Sequence, residues 1–275
     1  MNSAAATAAL PPDVRLMNAV SALLLAVLVG TAAWAALRWA VRLPVFNFRA
    51  IQVEGDVSRN SVASLRANAL PRLHGSFLSL NLKEGRAAFE AVPWVRHAQL
   101  QRVWPMRLKV SLEEHRPAAY WETRVDGADA GSEATAERAL VNTFGEVFLA
   151  NLGDVEDEDL PVLAGPAGTA GTMLQMWRAL SPAAEKLGES IDRLDLSGRG
   201  SWRVTFGSGP VIELGRGSDA EVVDRFGRFA HSITQVTSTY RSPLLSADLR
   251  HADGYAVKLR GVTVQTPGKP VNRKR

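Results

Sequence analysis

The side chains that most often do chemistry are thinly spread along this chain. There are five histidines and no cysteine. His74, His97, His115, His231 and His251 have no partner at i, i+3 or i, i+4. No HExxH, GxSxG, P-loop or dinucleotide-binding glycine pattern occurs. Zinc needs thiolates or clustered imidazoles, and neither is offered. The densest set of hard-cation ligands is the acidic run Asp154-Val155-Glu156-Asp157-Glu158-Asp159. It lacks the spacing and glycine pivot of a calcium loop, so it reads as a solvated segment. Met173, Trp177 and Leu180 follow helical spacing and read as core rather than as a ligand box. The expectation is a protein without cofactor, metal or catalytic site. A cell-wall hydrolase stays open as a minor alternative, because carboxylates distant in sequence can still meet in space.

Without local chemistry, the elements themselves become the subject, and one dominates. Met17 to Leu37 carries no charged side chain. As a helix it spans about 30 Å, the hydrocarbon thickness of a bilayer. A buried core helix would show a polar face, which is missing. A cleaved signal peptide finds support in Ala33-Trp34-Ala35, but this apolar run exceeds the usual length of such segments and only Arg15 precedes it. An uncleaved anchor over 17–41 is expected, preceded by a disordered tail over 1–16 in which Pro11-Pro12 discourages helix. Arg38, Arg42 and Arg49 follow the anchor, so local charge leaves its orientation open. The net charge of +4 is scattered, apart from Arg273-Lys274-Arg275 in a basic tail over 265–275. That pattern speaks against nucleic acid.

The segment after the anchor reads β-α-α-β-β. Phe46 to Glu54 alternates like a half-buried strand, ending at Gly55. A helix is expected from Arg59 to Leu73, capped by Ser58 or Asn60. A second helix follows Asn81, with Glu84 at capping-box spacing and Pro93 beyond. Strands His97–Val103 and Met106–Glu113 flank Trp104-Pro105. Further on, Asp126–Glu137 reads as a mobile loop, and Ala139–Val141 and Glu146–Ala150 as short strands. A helix is expected over Thr172–Leu187, kinked or divided by Pro182. Strands Ile191–Leu196, Trp202–Phe206 and Pro210–Leu214 come next, turning at Gly207-Ser208-Gly209. Ser218-Asp219-Ala220-Glu221 opens a last helix. Leu244–His251 and Tyr255–Val264 then read as a hairpin around the two-residue turn Asp253-Gly254.

A strand–helix–helix–strand–strand unit beside a membrane anchor resembles a POTRA domain. Val103-Trp104-Pro105-Met106-Arg107-Leu108-Lys109-Val110, with Glu113-Glu114-His115-Arg116-Pro117-Ala118-Ala119-Tyr120-Trp121, resembles the corresponding segment of the bacterial FtsQ/DivIB cell-division family. Similar to that family's second domain are Asn142-Thr143-Phe144-Gly145-Glu146-Val147-Phe148, Leu160–Pro166, Leu194–Trp202 and Ala247–Val257. The resemblance implies an α+β protein: a POTRA domain over 45–116, then a mixed, mostly antiparallel β domain over 117–264 with packed helices and an exposed C-terminal edge strand. It implies a cytoplasmic N-terminus, a periplasmic bulk, an inner-membrane location at the division septum, and a non-enzymatic scaffold.

By resemblance the partners are FtsB, pairing with the last strand, and FtsL beside it. Other division proteins such as FtsA, FtsK, FtsW and FtsI join that set. The matching positions are Asp253, Gly254, Tyr255, Ala256, Val257, Lys258 and Leu259, with His251 where the family often has an aromatic. Arg199 matches a family arginine that takes a partner carboxylate. Each has a plainer alternative: Tyr255, Val257 and Leu259 as core, Arg199 as a turn residue. Asp248 and Arg250 read as structural. The competing function is a POTRA-type periplasmic chaperone or translocation accessory. No run of barrel strands follows that would make an outer-membrane transporter.

Overall fold

The computed structural model describes residues 12–41, 44–124, 138–251 and 254–262. The expected loop at Asp126–Glu137, the basic tail 265–275 and most of the N-terminal tail lie outside them. Helix α1 runs Pro12–Val41, starting five residues before the expected anchor. Proline's fixed φ suits a first helical turn, whose N–H groups have no intrahelical partner, so Pro12 opens this helix rather than blocking it. Within α1, Leu16–Ala40 is long and apolar enough to cross a membrane, and none of its most apolar window is buried against the protein. The Arg38 guanidinium lies 4.2 Å from the Trp34 ring centroid, a cation–π contact at the end of the span.

The chain divides into two compact units after Glu114. In the first, β1 (Ala50–Asp56), α2 (Val62–Ala69), α3 (Leu82–Glu90), β2 (Val95–Val103) and β3 (Arg107–Glu114) follow the expected order. β3 is central, parallel to β1 and antiparallel to β2. Its alternation puts Leu108, Val110 and Leu112 into a core with Leu65, Ala69 and Phe89.

The first helix of this unit is shorter than expected. α2 ends at Ala69 and tightens to a 3-10 turn over Leu70–Arg72, because Pro71 has no N–H to continue the ladder. Its cap is Ser61, whose hydroxyl accepts from Ser64 N at 3.0 Å, not Ser58 or Asn60. Those two residues serve Glu114 instead. One Glu114 oxygen accepts from Ser58 N (2.8 Å), Ser58 Oγ (3.2 Å) and Arg59 N (2.9 Å). The other accepts from Asn60 N (2.8 Å) and Asn60 Nδ2 (3.0 Å). At α3, Asn81 Oδ1 accepts from Lys83 N and Asn81 Nδ2 donates to Glu84, so the reciprocal capping box expected there does not form.

The second unit is one nine-stranded sheet in the order β12-β11-β10-β9-β8-β7-β4-β5-β6. Its strands are β4 (Pro117–Thr123), β5 (Ala139–Asn142), β6 (Val147–Phe148), β7 (Val162–Gly165), β8 (Ile191–Leu196), β9 (Trp202–Phe206), β10 (Val211–Gly215), β11 (Leu244–Asp248) and β12 (Ala256–Leu259). Neighbours are antiparallel except β4–β7, β7–β8 and β10–β11. Helices α4 (Ala170–Glu185) and α5 (Asp219–Tyr240) contribute to its core, where Met173, Leu180, Phe226 and Phe229 meet Leu163, Leu194, Val204 and Ile212. The alternate strand positions carry cross-strand ion pairs: Arg193 to Glu122 (2.7 Å), Arg138 to Glu122 (3.0 Å) and Arg203 to Glu213 (2.6 Å). Over most of the sheet one face is thus apolar and the other carries these ion pairs, while β5 is buried at all four positions.

Pro182 neither divides α4 nor ends it; the helix continues through it to Glu185. Met173 and Leu180 are buried and Trp177 is half-buried, so the stripe is core. Val155, inside the acidic run, is buried, and its carbonyl accepts from the Tyr120 hydroxyl at 3.2 Å, while its acidic neighbours are exposed except the half-exposed Glu158. No group of three or more potential metal ligands occurs among the described residues.

Candidate partner-binding edge

β12 is the terminal strand of the nine-stranded sheet, and among the described residues nothing pairs with its outer side. Its position follows from the element before it. Ser218 caps α5 and Glu221 returns the bond to the Ser218 N–H, completing the capping box expected from sequence. α5 then carries the chain back from β10 so that β11 lies parallel to β10, with Val211 opposite Ser246 and Glu213 opposite Asp248. β12 adds antiparallel to β11, with Ala247 opposite Val257 and Asp248 opposite Ala256.

That register overturns the expected two-residue Asp-Gly turn. Seven residues, 249–255, separate the paired ends of the two strands. Leu249 is buried and donates its N–H to Glu213 O at 2.8 Å, so the chain leaving β11 keeps following β10 before it turns. Arg250 folds back, and its guanidinium makes two bonds to Asp248, Nε to Oδ1 at 2.9 Å and Nη2 to Oδ2 at 2.6 Å. These bonds hold the Asp248 carboxyl down at about 2. The pair ties the start of the connection back to the end of β11.

Of the residues matched by resemblance, Asp253 lies outside the described ones, and Gly254 and His251 are exposed. Tyr255 precedes β12 and turns inward. Its ring meets Phe229 of α5 edge to face at 5.2 Å, and its hydroxyl bonds Ser232 Oγ at 2.7 Å. Val257 also faces the core and Leu259 is buried, while Ala256 and Lys258 face out. What β12 presents at its margin is therefore main chain. Arg260 N donates to Pro243 O at 3.0 Å, so alternation along the strand turns the N–H groups of Val257 and Leu259 to the open side.

Arg199 is exposed in the turn between β8 and β9, where Gly200 N bonds Ser197 O at 2.9 Å. That turn is at the same end of the sheet as the β11–β12 connection, with β10 and β11 lying between β9 and β12. Three strand spacings put it about 14 Å from β12, so the fold does not join Arg199 directly to the edge. Arg225, Arg228 and Ser232 were not singled out by the sequence reading. They lie on one face of α5 beside the edge, and their i, i+3, i+7 spacing is a signal the sequence did carry.

These features define a class: a membrane-anchored protein in which a strand–helix–helix–strand–strand unit precedes a larger one-sided sheet with an open final strand. Residues 46–115 match the family model of the FtsQ-type POTRA domain, and residues 132–250 match that of the FtsQ/DivIB C-terminal region. The chain is 37% identical to a cell division protein FtsQ from Thiomonas arsenitoxydans over 96% of this chain and 94% of that protein. It is 33% identical to one from Burkholderia pseudomallei over 92% and 96%. A third, from Allochromatium vinosum, is 34% identical over 88% and 89%. The chain belongs to the FtsQ/DivIB family of non-enzymatic cell-division proteins. Its role is that of a single-pass membrane scaffold in division.

Proposed function

We propose that this scaffold works by strand addition: β12 receives an extended segment of FtsB, and FtsL is held in the same assembly. The observation that carries this reading is the unpaired outer side of β12 at the end of a nine-stranded sheet. An open edge offers N–H and C=O groups that bind an incoming strand through main-chain bonds, and alternate side chains set the register. The contact residues are Asp253, Gly254, Tyr255, Ala256, Val257, Lys258 and Leu259, with His251 and Arg199 towards the same end of the sheet as the start of β12. Tyr255, Val257 and Leu259 act by holding the strand in place, and the outer main chain makes the contact.

On this reading the N-terminus is cytoplasmic, the 45–116 POTRA domain and the 117–264 β domain are periplasmic, and the protein works in the inner membrane at the septum. FtsA, FtsK, FtsW and FtsI are the further division proteins it gathers. The test is a titration of full-length protein in detergent with the extramembrane part of FtsB. Val257→Pro removes an outward N–H and trims some core packing, so it should lower affinity by about tenfold or more with at most a small fall in melting temperature. Unaltered affinity would refute strand addition at β12. A fluorescent fusion should gather in a midcell band; an even envelope signal would remove the septal assignment.

A further inference from the structure

A small cavity of about 250 Å³ opens beside the start of β12. Arg225, Arg228 and Phe229 of α5 form one wall, and His251, Gly254 and Tyr255 of the strand connection form another. Among the described residues its lining contains two guanidiniums and an imidazole, and no carboxylate. The floor is the edge-to-face pair of Phe229 and Tyr255. Gly254 is exposed, and a Cβ placed there would meet nothing within 4 Å, so the mouth is open where the strand begins.

Neither arginine is fully used. Arg225 donates through Nη1 to the carbonyls of Leu214 and Arg216, which pins its guanidinium over the end of β10. Arg228 pairs with Asp224 one turn back on α5, and its side chain is 66% exposed. An exposed i, i+4 pair of that kind contributes only a few tenths of a kcal/mol, so a better-placed anion displaces it readily. A carboxylate in the cavity would meet planar fork donors suited to two-point bonding, against aromatic walls that reduce competition from water.

We propose that this cavity receives a carboxylate-bearing side chain of the strand that adds to β12, and that Arg228 is a specificity-determining residue for the partner. The inference rests on the strand-addition reading. Main-chain pairing alone accepts almost any extended segment. A charged socket at the entry of the edge selects segments with an acidic residue at one position and so fixes register as well as identity.

The test uses the full-length protein in detergent and the extramembrane part of FtsB as probe. Arg228→Glu should weaken binding at least about tenfold and flatten its dependence on salt, while the melting curve stays unchanged because the side chain is exposed. Carboxylate-to-amide changes along the FtsB segment should include one that gives a comparable loss and costs nothing more in an Arg228→Ala background. Binding of Arg228→Glu within twofold of wild type would overturn the socket. So would coupling of Arg228 to an aromatic rather than an acidic position. If Arg228→Glu is silent but Val257→Pro abolishes binding, strand addition stands and only the socket is lost. If Val257→Pro is silent as well, both fall.

Discussion

Glu114→Gln tests the local architecture of the first unit most sharply. The change keeps size and shape and removes charge and one acceptor. In the native protein the carboxylate takes three main-chain N–H groups, of Ser58, Arg59 and Asn60, together with the Ser58 hydroxyl and the Asn60 amide. The side chain is buried, so water cannot simply take its place. Whichever way the glutamine amide is turned, its NH2 faces at least two donors. Hydrogen bonds to a charged acceptor contribute about 1.5–3 kcal/mol each, and a buried donor left unpaired costs about 1–3 kcal/mol. Two lost bonds, partly relieved by rearrangement at the exposed Ser58, give a net cost of about 3 kcal/mol. For a domain of this size that lowers the melting temperature by roughly 12–24 °C. The assay is thermal unfolding of the full chain, with hydrogen exchange resolving the amides of Ser58, Arg59 and Asn60. Those amides should lose protection first, and the nine-stranded sheet should keep its own. A cost below about 1 kcal/mol, or protection lost equally from both units, would refute the assignment of Glu114 as the clasp between β3 and the start of α2.

Two further outcomes follow from backbone and charge. Gly55 has φ +121°, and a Cβ there would lie 2.1 Å from Leu112 O on the paired strand. Gly55→Ala should therefore destabilise the first unit by about 2–4 kcal/mol in denaturant unfolding, and a neutral result would mean that β1 does not pair with β3 at this register. Asp248 is depressed by its bonds to Arg250, so the stability it adds is present above its unfolded pKa and fades as pH falls through the folded value of about 2. Asp248→Asn should remove a small part of the acid sensitivity between about pH 4 and pH 2, read as the difference between the two pH–stability curves.

The sequence was enough for several features set by local spacing. An uncharged stretch from Met17 to Leu37 can only be a span-length apolar helix. Alternation at Leu108, Val110 and Leu112 defined the inner face of β3, and Ser218 with Glu221 defined the start of α5. These patterns are written within a few residues, by periodicity and capping. Local signals failed where a distant partner outbid them. Ser58 and Asn60 were plausible caps until Glu114, more than fifty residues away, took their donors. Asp253-Gly254 looked like a tight turn, but the pull of β10 on Leu249 lengthened the connection to seven residues. Tyr255 could be read as a partner contact or as core, and only the fold brought its ring against Phe229 on α5. β4 and β7 went unread as strands because parallel pairing joins segments far apart in sequence, and no single segment records its neighbour. The strand order, and with it which strand is left at the margin, was decided only when the whole sheet assembled. A strand's two sides are chemically alike until one of them is filled.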